Sequence, residues 1–347
     1  MKAPLATAAA MLGLVLGTAN ATSVLMERET AYGALRVEQT QSRRCVVASY
    51  DDRDAQHYIG CISRAQLGKL VLPYTRNLLA ALLVQPKPQR VLVVGLRTGV
   101  VPRTLHTLLP QTYIDVVEPD KGLSTLASGC CFWFTNDHMR LINANPRAYV
   151  AAAAREDVRY DLVVLDTPGP TYIPDALMTR EWLTAVRELM SNGAVLAANT
   201  WQTSPLYAHE SATYAAVFGD FYNMRFDDNR LVIARKGPLP SDSEVQANAR
   251  QWAPSFWLAF HTHVNDLLPL MDSEPDWPPD TRVISASAPP QALRAGTVKR
   301  TYAWYESVLT PLARAIRNRP VTAALLAILI IGMSIAAARP RTVAKEG

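Results

Sequence analysis

The chain has 347 residues, of which 49% are apolar, and a formal net charge of +5. A chain of this length and apolar content can bury a full core, so the composition argues against a disordered protein and suggests roughly two domains. The positive charge lies at one end, because residues 314–347 carry six basic residues and one acidic residue, whereas residues 1–313 carry 29 of each sign. A neutral body without a basic stripe argues against a nucleic-acid-binding surface.

Both ends of the chain carry apolar segments. Residues 1–21 begin with one basic residue, continue with an apolar stretch and end in Ala19-Asn20-Ala21, which predicts a cleavable secretory signal peptide, with an uncleaved N-terminal anchor as the alternative. Residues 321–338 lack charge, are flanked by arginines and would extend about 27 Å as a helix, which favours a transmembrane helix over a buried core helix. We therefore expect a membrane-anchored protein whose globular part is exported to the periplasm or another extracytoplasmic side. The cytoplasmic face stays open, because basic residues flank the span equally.

The globular part begins with a β-rich region followed by a helix. Residues 30–62 alternate apolar and polar positions with turn residues between them, which predicts two to four antiparallel strands. From Gln66 to Leu83 the pattern becomes helical, with an interruption at Pro73. A disulfide between Cys45 and Cys61 would fit an exported chain, and two buried thiols are the alternative. No spacing of cysteines or histidines matches a metal site.

The following segment alternates strands and helices. The predicted strands lie at 91–94, 113–117, 141–142, 160–166, 194–199, 221–225 and 230–234, and the predicted helices lie at 100–109, 120–127, 146–155, 178–190 and 208–217. This alternation predicts an α/β fold with a Rossmann-like, doubly wound, mostly parallel sheet whose last two strands form an antiparallel hairpin at one edge. We assign residues 22–85 to a small β-rich N-terminal domain with a linking helix, 86–240 to a Rossmann-like nucleoside-binding domain, and 241–313 to a helical and Pro/Ser-rich extension.

Two predicted strands end in acidic residues where such folds bind ligands. Gly95 and Gly99 predict a tight turn after the first strand of the sheet, and Glu118 ends the second strand, 23 positions after Gly95. An acid at that position bonds the ribose diol in nucleotide-binding α/β folds, although an ordinary βαβ unit can carry the same pattern. Asp166 ends the most apolar strand and is expected to point into the crevice at the carboxyl ends of the strands, with a turn or N-cap aspartate as the alternative.

Several segments, in their order and spacing, resemble those of the spermidine synthase-like polyamine aminopropyltransferases, which are built on the fold of class I S-adenosylmethionine methyltransferases. The resemblance covers residues 29–293 and rests on E-T-A-Y-G-A-L-R-V, L-V-L-P-Y-T-R-N-L-L-A-A-L-L, V-L-V-V-G-L-R-T-G-V-V-P-R, V-V-E-P-D, Y-D-L-V-V-L-D, Y-I-P-D-A-L-M-T-R-E-W-L, N-G-A-V-L-A-A-N-T-W and Y-A-A-V-F-G-D. The β-rich leader ahead of the nucleotide fold distinguishes this family from most methyltransferases.

The resemblance implies a transferase of polyamine biosynthesis that moves an aminopropyl group from decarboxylated S-adenosylmethionine to an amine such as putrescine. The partners would be a small nucleoside and an amine, with decarboxylated S-adenosylmethionine as co-substrate and no permanently bound cofactor. By motif position, Asp166 resembles the carboxylate that takes a proton from the amine or holds it, and Tyr74 resembles the tyrosine that orients the amine. The residues that match the nucleoside side of the site are Gly95, Gly99, Glu118 and Asn145.

Three positions depart from the family pattern. Arg97 places a cation in the glycine-rich loop, where it would oppose a sulfonium ligand. Asn145 stands where the family commonly has an aspartate that contacts adenine, and its amide oxygen could accept the same hydrogen bond. Gly169 stands where amine-synthesising members carry a second aspartate, for which Asp175 is the nearby substitute.

These departures leave two alternatives to the aminopropyltransferase. One is a catalytically degenerate, membrane-anchored binding or scaffold domain of the same fold, and the other is a methyltransferase that uses S-adenosylmethionine itself. A homodimer is a further open expectation.

Overall fold

The computed structural model of the chain describes residues 22–30, 33–48, 57–66, 68–167 and 172–294, which belong to one compact unit. The predicted signal peptide or anchor at 1–21 and the predicted transmembrane helix at 321–338 lie outside the described residues. Within the part of the chain that is described, no helix combines the length and the apolar character that a membrane span needs.

The N-terminal region is a four-stranded antiparallel sheet. Its strands run in chain order as neighbours: β1 (Ser23–Thr30), β2 (Gly33–Gln39), β3 (Arg43–Ala48) and β4 (His57–Ser63). The prediction of two to four antiparallel strands is therefore confirmed at its upper limit. Cys45 on β3 lies directly opposite Cys61 on β4, and the two form a disulfide bond, which decides between the two alternatives that the sequence leaves open. The structure also joins Cys130 to Cys131.

The linking helix begins later than the sequence pattern predicts. Helix α1 spans Pro73–Asn77, a 3₁₀ turn spans Leu78–Ala80, and α2 spans Ala81–Val84. The prediction that Pro73 interrupts a helix starting at Gln66 is wrong, because Pro73 is the first helical residue and Leu72 before it is extended. Proline suits this position, since its fixed φ is already helical and its missing N–H would have had no partner within the helix.

The central sheet has seven strands. They are β5 (Arg90–Val94), β6 (Tyr113–Val117), β7 (Met139–Ile142), β8 (Tyr160–Leu165), β9 (Met190–Trp201), β10 (Phe221–Phe226) and β11 (Asn229–Arg235). Their order is β10-β11-β9-β8-β5-β6-β7; β10 and β11 pair antiparallel with each other, β11 also pairs antiparallel with β9, and the other neighbours are parallel. The predicted mostly parallel, Rossmann-like sheet with an antiparallel hairpin at one edge is confirmed.

Helices cover both faces of this sheet. They are α3 (Val100–Leu108), α4 (Lys121–Cys131), α5 (Pro146–Arg155), α6 (Arg180–Glu188), α7 (Tyr207–Phe218), α8 (Asp242–Phe260), α9 (Val264–Leu267) and α10 (Pro290–Arg294). Alternate residues of β5 enter different cores, with Val91 and Val93 in one and Leu92 and Val94 in the other. A strand buried on both faces is apolar throughout, which explains the uninterrupted apolar run of β5.

Two element boundaries differ from the prediction for local reasons. Helix α6 is shorter than the predicted 178–190, because the hydroxyl of Thr179 caps it by accepting a hydrogen bond from the backbone N–H of Trp182. Met190 already belongs to β9, which pairs with β8 from its first residue. The predicted helical region 243–270 is broken at His261, whose left-handed backbone (φ 53°) ends α8.

Candidate active site

A cleft of about 190 Å³ lies at the carboxyl ends of β5, β6 and β8. At β5 the strand order changes direction, since β6 lies on one side of it and β8 on the other. Such a switch point opens a crevice where α/β sheets bind ligands. Four of the six predicted site residues line the cleft, namely Gly95, Glu118, Asn145 and Asp166. Tyr74 and Gly99 lie outside its lining.

Gly95 allows the ends of β5 and β8 to approach each other. Its backbone has φ +97°, and a Cβ atom there would lie 2.2 Å from the carbonyl oxygen of Asp166. The backbone N–H of Asp166 donates to the carbonyl of Val94 at 2.9 Å, so the chains on both sides of the turn are held together. Any other residue at position 95 would need a strained backbone and would push Asp166 away.

Gly99 has a packing role and does not face the cleft. It precedes α3 with φ +71°, and a Cβ atom there would lie 2.7 Å from the ring of Trp133. The second glycine of the loop therefore brings the start of α3 against a buried indole. Gly99 is not among the residues that line the cleft, so its assignment to the nucleoside side of the site stays a prediction.

The carboxylate of Glu118 is buried and held by the backbone. One of its oxygens accepts a hydrogen bond from the N–H of Leu96 at 3.0 Å, and the other accepts from the N–H of Asp120 at 2.9 Å. Only 1% of Glu118 is exposed, yet it lines the cleft. A carboxylate has about four acceptor positions. The Glu118 carboxylate, held by two backbone amides, can therefore also accept hydrogen bonds from the hydroxyls of a ribose diol.

Asn145 is the N-cap residue of α5. Its side-chain oxygen accepts hydrogen bonds from the backbone N–H groups of Arg147 and Ala148, at 2.9 and 3.4 Å. The amide oxygen expected to accept a hydrogen bond from adenine is thus directed at the helix. Because the helix N-terminus uses the oxygen, the amide N–H₂ group of Asn145 is the half that could bind a ligand, by donating to an acceptor nitrogen of a purine ring.

Asp166 follows the last residue of β8 and is 1% exposed. The side-chain N–H₂ group of Asn199 donates to its Oδ1 at 2.9 Å. Its Oδ2 is buried, and the hydroxyl of Tyr74 lies close enough to the carboxylate to influence its pKa. Burial raises the pKa of the Asp166 carboxyl above its ordinary value, and the nearby positive charge of Arg97 partly offsets that rise.

The guanidinium of Arg97 lies beside both residues that are predicted to act on the amine. Its Nε is 3.5 Å from Oδ1 of Asp166 and donates to the carbonyl oxygen of Ile59 at 3.0 Å. Its central carbon lies 5.6 Å from the centre of the Tyr74 ring. The cation that the sequence places in the loop is therefore paired with the catalytic candidate Asp166, which reduces the repulsion that it would exert on a sulfonium ligand.

Tyr74 lies on α1 and is 4% exposed. Burial raises the pKa of its hydroxyl far above the usual value, and the negative charge of Asp166 raises it further. Tyr74 therefore keeps its proton at any physiological pH. It can donate a hydrogen bond but cannot serve as a base.

Asp175 does not provide the second acidic group that the sequence suggests for it. Its carboxylate pairs with Arg294 at 2.9 Å and also accepts a hydrogen bond from Gln291, both on α10. Asp175 is absent from the lining of the cleft. Gly169, at the position where the family resemblance leads one to expect a second aspartate, falls in the segment 168–171 outside the described residues.

Asn199 is a functional candidate that the sequence analysis missed. It lies near the end of β9, which is parallel to β8, and its amide fixes Oδ1 of Asp166. Its position near the end of a predicted strand could have indicated it, because polar residues at the carboxyl ends of adjacent parallel strands meet at one edge of the sheet. The apolar wall of the cleft was not predicted either, and it consists of Leu35, Ile59, Leu123, Pro146, Pro174 and Leu177.

The fold and this cleft together are typical of nucleoside-dependent transferases with a methyltransferase-like sheet. No protein-family model matches the chain. A polyamine aminopropyltransferase from Vibrio vulnificus is 33% identical over 275 residues, which span 78% of this chain and 91% of that protein. A probable spermidine synthase from Corynebacterium glutamicum superposes with a TM-score of 0.53 at 16% identity, covering 75% of this chain and 99% of that one.

A spermidine synthase in complex with the transition state analogue AdoDATO also superposes with a TM-score of 0.53, at 15% identity, covering 73% of this chain and 85% of that one. The two solved structures share the fold, and the Vibrio relative shares enough sequence to define the family. The chain belongs to the polyamine aminopropyltransferase family, which confirms the resemblance inferred from its motifs. It is accordingly a transferase of the aminopropyl-transferring, polyamine-biosynthetic type.

Proposed function

We propose that the cleft binds decarboxylated S-adenosylmethionine and that Asp166 and Tyr74 direct an amine at its aminopropyl group. The observation that carries the proposal is one cleft lined both by the amide-held carboxylate of Glu118 and by the buried carboxylate of Asp166. The carboxylate of Glu118 suits a ribose diol, and that of Asp166 suits an amine. The complex of a related fold with AdoDATO supports a nucleoside ligand in such a cleft.

The nucleoside half of the site positions the donor. Glu118 would accept hydrogen bonds from the ribose, and the apolar wall that includes Pro146 and Leu177 would hold the adenine. With the ribose on Glu118, the substituents on sulfur would extend past Gly95 towards Asp166, since the three residues line the same cleft. This arrangement converts a reaction between two free molecules into one between fixed groups. Such positioning lowers the activation barrier of a displacement at carbon.

The reaction is a displacement at the aminopropyl carbon next to sulfur. The nitrogen of the acceptor forms a bond to that carbon, and the carbon–sulfur bond breaks with its electron pair remaining on sulfur, so that methylthioadenosine leaves. The nitrogen must lose one proton, which Asp166 would accept. Because burial raises the pKa of Asp166, its carboxylate is a stronger base than an exposed aspartate. The protonated hydroxyl of Tyr74 would help to orient the acceptor.

Calorimetric titration tests the donor site. The folded protein should bind both decarboxylated S-adenosylmethionine and its thioether product methylthioadenosine, and Glu118→Gln should weaken both. The matched control is Glu156→Gln, a change of the same type at an exposed position beyond α5, which should leave binding unaltered. Absence of heat for both compounds with a folded protein would refute the donor assignment and favour the non-catalytic alternative.

The export of the globular part and its anchoring by residues 321–338 remain part of the proposal. The disulfide between Cys45 and Cys61 supports export, because such bonds persist in oxidising compartments. A topology reporter fused after Gly347, compared with one inserted near Pro240, would test this directly. Both reporters on the cytoplasmic side would contradict export. A homodimer stays a prediction that sedimentation of the purified protein would check.

A further inference from the structure

We propose that Asn199, supported by Asn229 on the neighbouring strand, is an uncharged positioning residue that keeps the carboxylate of Asp166 ionised and fixed for the reaction. The proposal rests on the aminopropyl transfer proposed above and adds two residues to the support of that site. It follows from the register of three strands, from two hydrogen bonds and from the kind of atom that each side chain can offer.

The strands bring the three side chains into one row. β8 and β9 are parallel and pair as far as Leu165 and Ala198, so the next residues, Asp166 and Asn199, lie side by side. On the other side of β9 is β11, whose first residue is Asn229. Because β11 is antiparallel to β9, its first residue lies at the same end of the sheet. Polar side chains therefore cross three adjacent strands beside the cleft.

Asn199 is the link in this row and is 2% exposed. Its N–H₂ group donates to Oδ1 of Asp166 at 2.9 Å, and its amide oxygen accepts a long hydrogen bond from the N–H₂ group of Asn229 at 3.5 Å. An ionised carboxylate can only accept hydrogen bonds, so it requires the N–H₂ group of Asn199 on its side. The oxygen of the same amide must then point away from Asp166, which is where Asn229 donates.

Asp166 needs this support because its burial opposes its charge. In the described part of the chain, the charged and titratable groups near it are Arg97 in the turn after β5, Tyr74 on α1 and Glu118 in the same cleft. Burial raises the pKa of Asp166, while the charge of Arg97 and the hydrogen bond from Asn199 lower it. Asn199 thus favours the ionised form without adding a cation to a cleft that must receive a sulfonium donor and an amine.

Three substitutions disturb the row from its two sides. Asn199→Leu keeps the approximate size of the side chain and removes both hydrogen bonds. Asn229→Asp leaves Asn199 and Asp166 in place but offers a carboxylate where an N–H₂ group stood, which favours turning the donors of Asn199 away from Asp166. Asn229→Ala removes the same contact without adding a charge.

The matched control is Asn248→Asp. The N–H₂ group of Asn248, on α8, donates to the carbonyl oxygen of Leu83 at 2.9 Å, and Asn248 does not line the cleft. This change therefore breaks an amide hydrogen bond through the same replacement, away from Asp166. A loss of stability from a broken amide contact should appear in the control as well, whereas an effect on the ionisation of Asp166 should not.

The charge of Asp166 can be followed without turnover. Protein with ¹³C-labelled aspartate carboxyl groups is titrated by NMR, and the resonance of Asp166 is the one that is missing from Asp166→Asn. Because the lost hydrogen bond stabilises only the ionised form, the pKa should rise by about one unit in Asn199→Leu. A rise is also expected in Asn229→Asp, and a smaller one in Asn229→Ala. Asn248→Asp should titrate like the wild-type protein.

The pH profile of kcat/KM should move in the same direction. With decarboxylated S-adenosylmethionine and putrescine used throughout, the substrates titrate identically, so a shift comes from the protein. Loss of a donor that favours the ionised form moves the acid limb to higher pH. On that limb, kcat/KM of Asn199→Leu should fall about tenfold, which corresponds to a shift of about one unit. Asn229→Asp gives the same reading if Asn199→Leu does not fold.

Other outcomes overturn the proposal. An unchanged pKa of Asp166 in Asn199→Leu, or an equal rise in Asn248→Asp, contradicts it while aminopropyl transfer itself stands. A loss of activity in Asn199→Leu that is the same at every pH, with the titration unmoved, makes Asn199 a packing residue. A rise in Asn229→Asp without any rise in Asn229→Ala means that the added charge acts alone, and the support from Asn229 is then wrong. If the titrations shift as expected but no protein transfers the aminopropyl group, the proposed function is wrong, and the inference fails with it as a statement about catalysis.

Discussion

The two ends of the cleft are built by different means. At the nucleoside end, the carboxylate of Glu118 is fixed by the backbone N–H groups of Leu96 and Asp120, and the walls are apolar. At the acceptor end, Asp166 is surrounded by side chains from three distant parts of the chain, namely Tyr74, Arg97 and Asn199. The first end therefore depends on how strands and turns are placed, and the second depends on individual residues.

This difference shows where specificity can change without loss of the fold. Backbone amides are supplied by any sequence that keeps the turn, so a nucleoside site of this kind tolerates substitution around it. The charge at the acceptor end is set by single side chains. Arg97 alone adds a positive charge there, at a position whose backbone conformation glycine could also adopt. Both ends share one turn at Gly95, which links the pocket for the donor to the position of Asp166.

The largest effect is expected at the acceptor end. Asp166→Asn preserves the shape of the side chain but removes the base and the negative charge, so kcat/KM should fall at least about 100-fold, the usual contribution of a general base. Binding of methylthioadenosine should change little, because that ligand depends on the other end. Steady-state kinetics and calorimetry on the same preparation measure both. Retained activity would remove Asp166 from the reaction.

The shared turn should be the most sensitive point for stability. Gly95→Ala places a Cβ atom 2.2 Å from the carbonyl oxygen of Asp166 and should lower the free energy of unfolding by at least about 2 kcal/mol. The control is Gly33→Ala, where φ is +84° but no atom lies within 4 Å, and it should cost about 1 kcal/mol. Urea unfolding compares the two. Equal losses would mean that close packing at Gly95 adds nothing to the cost of the backbone conformation.

A smaller, selective effect is expected at the nucleoside end. Glu118→Gln would turn an N–H₂ group towards the backbone N–H of Leu96 or Asp120, so one hydrogen bond would be lost. It would also remove the negative charge to which the ribose hydroxyls donate. The dissociation constant of methylthioadenosine should rise about tenfold, in line with the loss of a hydrogen bond to a charged group. At saturating donor, kcat should fall much less. An equal fall in kcat at saturation would mean that Glu118 acts on the reacting atoms, and the separation of the two ends would not hold.

The smallest effect concerns pH. Activity requires an ionised Asp166, so it is lost as the pH falls through the pKa of that carboxyl. The positive charge of Arg97 lowers this pKa, and its removal in Arg97→Gly should therefore shift the acid side of the kcat/KM profile to higher pH. With 1-aminopropane as acceptor in both proteins, the titration of the substrate is the same and cancels. A profile that does not move would show that Arg97 has no electrostatic influence on Asp166.

Much of the fold could be predicted from the sequence, because it depends on repeated local patterns. The apolar runs that became β5 and β8 are buried on both faces, and a continuous apolar run is what such a strand requires. The start of α1 at Pro73 was predicted wrongly, since leucines on both sides of the proline continue a helical spacing that the backbone does not follow. The start of α1 depends on the extended conformation of Leu72 and not on the periodicity of the leucines.

The nucleoside end was also largely predictable, and the acceptor end was not. Glu118 and Gly95 follow from their distance to strand ends, which the sequence displays. The contact between Arg97 and Asp166 joins residues 69 positions apart, and the carbonyl of Ile59 that helps to hold the guanidinium belongs to the N-terminal sheet. The sequence suggested that Arg97 would disturb the site, and the structure pairs it with the residue it was expected to disturb. Such pairings depend on how two sheets pack, which no local pattern records.

The most direct test of aminopropyl transfer follows the group itself. Decarboxylated S-adenosylmethionine labelled in its aminopropyl carbons is incubated with the wild-type protein and a set of amine acceptors that includes putrescine, and the labelled products are separated. We expect label in the acceptor together with an equal amount of methylthioadenosine, and neither product with Asp166→Asn. Methylthioadenosine binding without any transfer of label to any acceptor would contradict the account and identify the cleft as a nucleoside-binding site that does not transfer the group.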